Sequence, residues 1–173
     1  MDDISTTAGE TESASQAVLD HPAVRAVTAD LAAIGLAPDI TTFTIAARTA
    51  AIAAEALGIE IAQIANSLIF CADDAPLLVM TSGAHRVDTA NLAQVLGKGT
   101  ITPATAQFVR EHTAQTIGGV APVGHPAPIE TIIDTSLARC DVVWAAAGHP
   151  NTVFPTTYEQ LLHMTHGTAA DVA

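Results

Sequence analysis

Aromatic side chains make up only 3% of the 173 residues, and Lys plus Arg number six. A chain so poor in rings has no row of stacking platforms for bases, and one so poor in cations has no broad face for phosphates. Cysteine is scarce too. Cys71 and Cys140 lie far apart in apolar runs and read as small buried thiols rather than a disulfide, which suits a cytoplasmic setting. No apolar run approaches the roughly 20 residues needed to span a bilayer, and the first residues are acidic rather than basic and then apolar. Neither a membrane span nor a signal peptide is expected. Also missing are a serine-hydrolase elbow, a Walker loop, a dinucleotide fingerprint and any Cys/His zinc spacing. His163 and His166 sit three apart with no third ligand indicated, so neither a metal nor another cofactor is expected.

What the chain does have is apolar bulk, 49% by composition, ample for a sizeable core built from Ala, Ile, Leu and Val. That mixture suits helices layered on a β-branched sheet. Eighteen acids against six bases give a net charge of −12, which repels DNA and most other nucleic acid from the surface. Any phosphate contact falls to a local set drawn from Arg25, Arg48, Arg86, Lys98, Arg110 and Arg139.

Residues 1–15 are rich in Asp, Glu, Ser and Thr and read as a disordered acidic tail, with one domain over 16–173. From Ser15 to Ile34 apolar residues recur at helical spacing up to Gly35, with His21-Pro22 as a kink or restart. Ile40 to Ala46 reads as a strand, and Thr49 caps a short helix that stops at Gly58. Asn66 to Ala72 and Pro76 to Thr81 read as an antiparallel hairpin joined by Asp73-Asp74-Ala75. Asp88 caps a helix ending at Gly97, and a second helix is predicted from Thr102-Pro103 to about Thr113. Strands follow over Ile129 to Ile133 and Asp141 to Ala147. The capping box Thr156-Thr157-Tyr158-Glu159 opens a last helix. No internal repeat is present.

Between these elements runs Gly118-Gly119-Val120-Ala121-Pro122-Val123-Gly124-His125, three glycines and a proline in eight residues. Glycine lets a ligand sit against bare peptide N–H groups, and consecutive N–H groups aimed one way make an anion or oxyanion site. A long structural turn is the competing reading. His125 and His149 sit beside predicted strand ends, where sites collect. Arg86-Val87-Asp88 places a charge at a loop-to-helix junction, with a cap plus surface ion pair as its plain reading.

Taken in order, Ala50 to Gly58, Gln63 to Phe70, Ser82-Gly83-Ala84-His85-Arg86-Val87-Asp88, Gly118 to His125, Ile133-Asp134 and Ala147-Gly148 form a pattern that resembles the YbaK and prolyl-tRNA-synthetase-associated domain family of aminoacyl-tRNA editing domains. The resemblance covers about residues 20 to 167. It implies a mixed α/β fold in which a curved, largely antiparallel sheet is flanked by helices. It implies hydrolysis, by water, of the ester joining a small wrongly attached amino acid to the 3′ end of a tRNA, acting in trans without a metal. The carbonyl would be met by Gly118, Gly119 and Val120 together with Asn66. Ser82, Arg86, Pro122, Gly124, His125, Arg48 and Gly148 would bind substrate, with Arg86 or Arg48 at the nucleotide end. At position 66 the deacylating members carry lysine; Asn66 donates a hydrogen bond there without supplying a charge. Two other readings stand beside this one: a hydrolase or binding protein for another small aminoacyl ester or metabolite, and a non-catalytic interaction module.

Overall fold

A computed structural model describes residues 4–173. In chain order these form α1 (Ile4–Leu19), α2 (Pro22–Ala33), β1 (Thr41–Thr42), α3 (Ala50–Leu57), β2 (Ile64–Ala72), β3 (Ala75–Ser82) and α4 (Thr89–Leu96). They continue through β4 (Ile101–Pro103), α5 (Ala106–Thr113), β5 (Glu130–Asp134), β6 (Val143–Ala146), β7 (Thr152–Thr156), α6 (Tyr158–Thr165) and β8 (Thr168–Ala170). Single 3-10 turns cover Ile61–Gln63 and Thr135–Arg139.

The sheet is organised around a hairpin that its turn residues specify. Asp73 and Asp74 have φ of 49° and 68°, the paired left-handed geometry of a two-residue turn whose twist matches the strands it joins. β2 and β3 then pair antiparallel from Ala72↔Ala75 to Ala65↔Ser82. The full strand order is β1-β7-β6-β2-β3-β5-β8, with β4 also on β2. The β1–β7, β6–β7, β2–β3 and β2–β4 pairings are antiparallel; β2–β6, β3–β5 and β5–β8 are parallel. The fold is therefore mixed α/β with a largely antiparallel sheet, as expected.

β3 is the buried spine. Successive strand side chains face opposite sides, so Leu78 and Met80 enter one core with Val27 and Leu31 of α2 and Leu161 of α6. Leu77 and Val79 enter a second core with Leu92 of α4, Ile132 and Val172. All four β3 residues are fully buried, each worth about 1.5–3 kcal/mol of transfer free energy for its side chain.

One edge of β2 is shared between two partners, and this shapes the site. β6 pairs with Ile64 and Ala65, β4 pairs with Phe70 to Ala72, and on this edge the described residues place no strand beside Asn66 to Leu68, which β3 covers on the other edge only. The ladder opens there.

Several boundaries differ from the sequence reading. Only Thr41–Thr42 of the expected Ile40–Ala46 strand pairs in the sheet. The peptide groups beyond it turn to the 150–151 corner instead: Phe43 N–H donates to Asn151 O at 2.7 Å, and Ala47 N–H to Pro150 O at 3.0 Å. Thr102-Pro103 belongs to β4, and the helix starts at Thr105, whose hydroxyl accepts from Phe108 N–H. The last helix is capped one residue later than predicted, by Thr157 with Gln160 as reciprocal partner, because Thr156 is held in β7. β7 and β8 were not expected at all. His21-Pro22 does restart the helix, with His21 Nδ1 accepting from Ala23 N–H and Pro22 in the first turn. Where a disordered tail was expected, the chain is helical from Ile4; residues 1–3 of that tail lie outside the described residues. The end of α1 is docked, with Ser15 Oγ accepting from Thr42 Oγ1 at 3.1 Å. Helix extends outward from a fixed turn at little further cost.

Candidate functional site

The opening in the β2 ladder is the mouth of a cleft of about 460 Å³, solvent-open space included. Thr49 places α3 beside it, because its hydroxyl accepts from Ile52 N–H at 3.3 Å and fixes the first turn, and Gly58 (φ 66°) ends the helix nine residues on. The cleft is floored by small side chains, Ala47, Ala50, Ala53, Ala65 and Ala146. Its polar wall is Asn66 and Ser67 on β2, and its far wall is Gly118 and Val120. Among the described residues no Asp, Glu, His or Cys lines it, and Arg48 is the one cationic residue that does.

The Gly118–His125 loop is shaped from within by a residue the sequence reading passed over. Gln115 is 2% exposed; its Oε1 accepts from Ala121 N–H at 2.7 Å, and its Nε2 faces Val123 O at 3.1 Å and Gly124 O at 3.4 Å. Thr113 Oγ1 in turn accepts from Gln115 N–H at 3.0 Å. One buried amide thus ties down the middle and the C-terminal part of the loop. A lone Gln directly ahead of a glycine-rich segment was the available signal.

Within the loop the N–H groups divide sharply. Gly119 N–H donates to Thr116 O at 2.9 Å and Ala121 N–H to Gln115, so neither is free to meet a ligand. Those of Gly118 and Val120 have no protein partner among the described residues. The Gly119 N–H is therefore engaged inside the loop rather than open to a ligand as expected, and the residue's absent side chain is what matters. A Cβ there would lie 2.6 Å from both His149 C and Pro150 N, so only glycine lets the loop close against the 149–150 corner.

Asn66 is half-buried with no hydrogen-bond partner for its amide among the described residues, and Ser67 Oγ is a buried hydroxyl likewise without one. Unpaired polar groups are costly in a folded protein, and here they gather in one cleft. Arg48 is exposed at the mouth, with its Cα 3.6 Å from where a Gly118 Cβ would stand.

The other candidate residues are not brought to this cleft. Ser82 is buried behind it, its hydroxyl donating to Ala62 O at 3.0 Å and its N–H to Asp134 Oδ2 at 3.1 Å. Asp134 also accepts from Thr81, from Ser136 N–H and, at 3.0 Å, faces His85 Nδ1. Burial pushes the Asp134 carboxyl up, but the Ser136 and Ser82 donors and His85 outweigh it and hold it below the usual carboxylate range. This buried carboxylate fixes the Ser82–His85 corner, against which α3 rests: a Cβ on Gly83 would be 2.8 Å from Ala50 Cβ. Arg86 is exposed outside the cleft.

Pro122, Gly124 and His125 line a different depression, with Asp30, Met164 and His166. Gly124 N–H donates to Asp30 Oδ2 at 2.8 Å, and His125 Nε2 bonds Ala121 O at 2.9 Å. Burial lowers the His125 pKa, partly offset by the Ala121 carbonyl and Asp30, so the ring is neutral and donates that bond. Gly148 (φ 100°) packs on α2, where a Cβ would be 2.8 Å from Ala23 O. Beside it His149 has its ring centroid 5.1 Å from that of His21, and its pKa is lowered by burial and then by that neighbour. Among the described residues no group of three or more His, Cys, Asp or Glu could hold a metal ion. None of their helices is long and apolar enough to cross a membrane.

The molecule is thus a mixed α/β domain whose cleft is lined by small side chains, the Asn66 amide, the Ser67 hydroxyl, the Gly118 and Val120 segment and one cation, Arg48. Residues 44–164 match the model of the aminoacyl-tRNA editing domain, and the chain belongs to that family. It is 32% identical over 126 residues to the uncharacterized protein YwhH of Bacillus subtilis (strain 168), covering 71% of this chain and 78% of that one. It is 28% identical over 95 residues to the proline–tRNA ligase of Levilactobacillus brevis, a match covering 55% of this chain but only 16% of the ligase. Among solved structures it superposes with a TM-score of 0.81 and 36% identity on a candidate trans-editing enzyme for prolyl tRNA synthetase, over 87% of this chain and 96% of the other.

Proposed function

We propose that this protein is a trans-acting aminoacyl-tRNA deacylase, a cytoplasmic hydrolase that frees a small wrongly attached amino acid from a tRNA 3′ end. The observation that carries the reading is the pair of unpaired N–H groups, Gly118 and Val120, lining the same cleft as the unpartnered Asn66 amide. As water attacks the ester carbonyl, charge grows on its oxygen, and donors fixed in advance stabilise it without reorganising; each is typically worth about 3–4 kcal/mol in hydrolases. Backbone and amide donors, rather than a side-chain base, then do the chemistry. The alanine floor admits a small amino-acid side chain and crowds out a large one.

Release of free amino acid from tRNAs mischarged with small residues tests this directly. Micromolar enzyme is expected to clear at least one of them, and no release from any would end the proposal. In the active case Asn66→Ala is expected to slow turnover, whereas an unchanged rate removes Asn66 from the site. Gly119→Val is expected to abolish turnover with a native circular dichroism spectrum, because the new side chain must push the loop off the 149–150 corner.

A further inference from the structure

We infer that the protein contacts its substrate only at the acylated terminal nucleoside and at most one phosphate, so that the body of the tRNA contributes little to binding. This rests on the editing reading for the identity of the ligand, and on the distribution of charge for its extent. Of the six cations, Lys98 is held by Glu130 at 2.7 Å, and Arg48 is the one that lines the cleft. None lies on α3, β2, β6 or β7, the elements that wall it. The exposed charges carried by or next to those elements are mostly acidic, with Glu55 on α3, Glu60 before β2 and Asp141 before β6 against Arg48 before α3 and Arg139 before β6. A phosphate chain leaving the cleft across these elements meets repulsion, and the net charge of −12 extends that repulsion over the molecule.

Exposed apolar side chains also border the cleft-lining segments. Ile45, Ile52 and Ile117 are 78%, 44% and 60% exposed, and each lies within two residues of cleft-lining positions, Ala47, Ala53 and Gly118. Exposed isoleucines around one guanidinium suit the uncharged ribose and base of a single nucleoside with one phosphate on Arg48. They do not suit a polyanion.

Trp144 is the only tryptophan of the chain and lines the cleft, so its fluorescence reports occupancy without turnover. Two hydrolysis-resistant probes are compared: 3′-alanylamino-adenosine 5′-monophosphate, and a whole tRNA ending in the same amide. Their dissociation constants are expected to agree within about threefold at 50 mM salt. Affinity for either should fall only about 2.6-fold between 50 and 200 mM, the slope of about −0.7 for one phosphate on a single strand. Arg48→Ala should flatten that slope. A tRNA probe binding ten or more times tighter, with the advantage collapsing as salt rises, would overturn the inference; so would a slope unmoved by Arg48→Ala, or binding of neither probe. Equal binding of both probes with no hydrolysis of the corresponding esters sinks the deacylase reading and leaves the inference standing.

Discussion

At the scale of single residues, Gln115 is where structure and function meet most directly. Its side chain makes the bonds that hold Ala121, Val123 and Gly124, and so decides how the loop presents Gly118 and Val120. Gln115→Met fills much the same volume but orphans a buried N–H and removes the donor to two carbonyls. The expected loss is about 1–3 kcal/mol of stability, seen as a drop of roughly 2–4 °C in Tm per kcal/mol for a chain of this size. Turnover of a cleared aminoacyl-tRNA is expected to fall about a hundredfold with KM little changed, since donors misaligned by an ångström lose transition-state rather than ground-state contacts. A fall in Tm with kcat intact would make Gln115 structural only. Asp134 shows the same division of labour. It sits outside the cleft, yet it fixes the corner on which α3 rests.

Among the elements, the β2–β3 hairpin was the most legible, and its tip offers a clean test. Asp73 carries a tertiary duty, accepting from Gly99 and Thr100 N–H at 2.8 and 2.9 Å, and these bonds lower its pKa. Asp74 makes no such bond and sits at φ 68°, where a Cβ is strained. Asp74→Gly is therefore expected to raise Tm by about 1–3 °C, while Asp73→Ala lowers it; thermal melts monitored by circular dichroism decide. The caps at Thr49 and Asp88 and the stops at Gly58 and Gly97 were equally readable, because each depends on a few adjacent residues. β1, β4 and β7 were misread or missed, since whether a short apolar stretch is strand or connection depends on what lies beside it. Thr102-Pro103 carries a helix-start signal and becomes an edge strand because β2 has a free edge at Phe70 to Ala72.

Over the whole molecule, half-buried neutral histidines link stability to pH. The pKa of both His125 and His149 is lowered from 6.5 by burial, so the unfolded chain binds protons that the folded one refuses. Their contribution is complete above about pH 6.5 and is lost as pH falls from there through their lowered values. Urea midpoints are expected to decline between pH 7 and 5, and His125→Gln should flatten that decline; a pH-independent midpoint would contradict it. Self-repulsion at a net charge of −12 predicts a further trend, a Tm that rises as salt is raised from 50 to 200 mM.

Caps, turns, the hairpin, the mixed α/β class and the ordered motifs of an editing domain follow from the sequence by itself, because each rests on neighbours in the chain or on composition. The cleft is different. It exists because β4 and β6 divide one edge of β2 and leave Asn66 to Leu68 uncovered, a consequence of three distant segments meeting. The glycine loop was visible as eight residues, but only tertiary structure decided that Gly118 and Val120 line the cleft with free N–H groups, that Gly119 serves by having no side chain, and that Pro122, Gly124 and His125 turn away to pack on α2 and α6. Hydrogen bonds are exclusive: Thr116, Gln115 and Asp30 claim the Gly119, Ala121 and Gly124 donors, and of the loop's other N–H groups those of Gly118 and Val120 belong to residues that line the cleft.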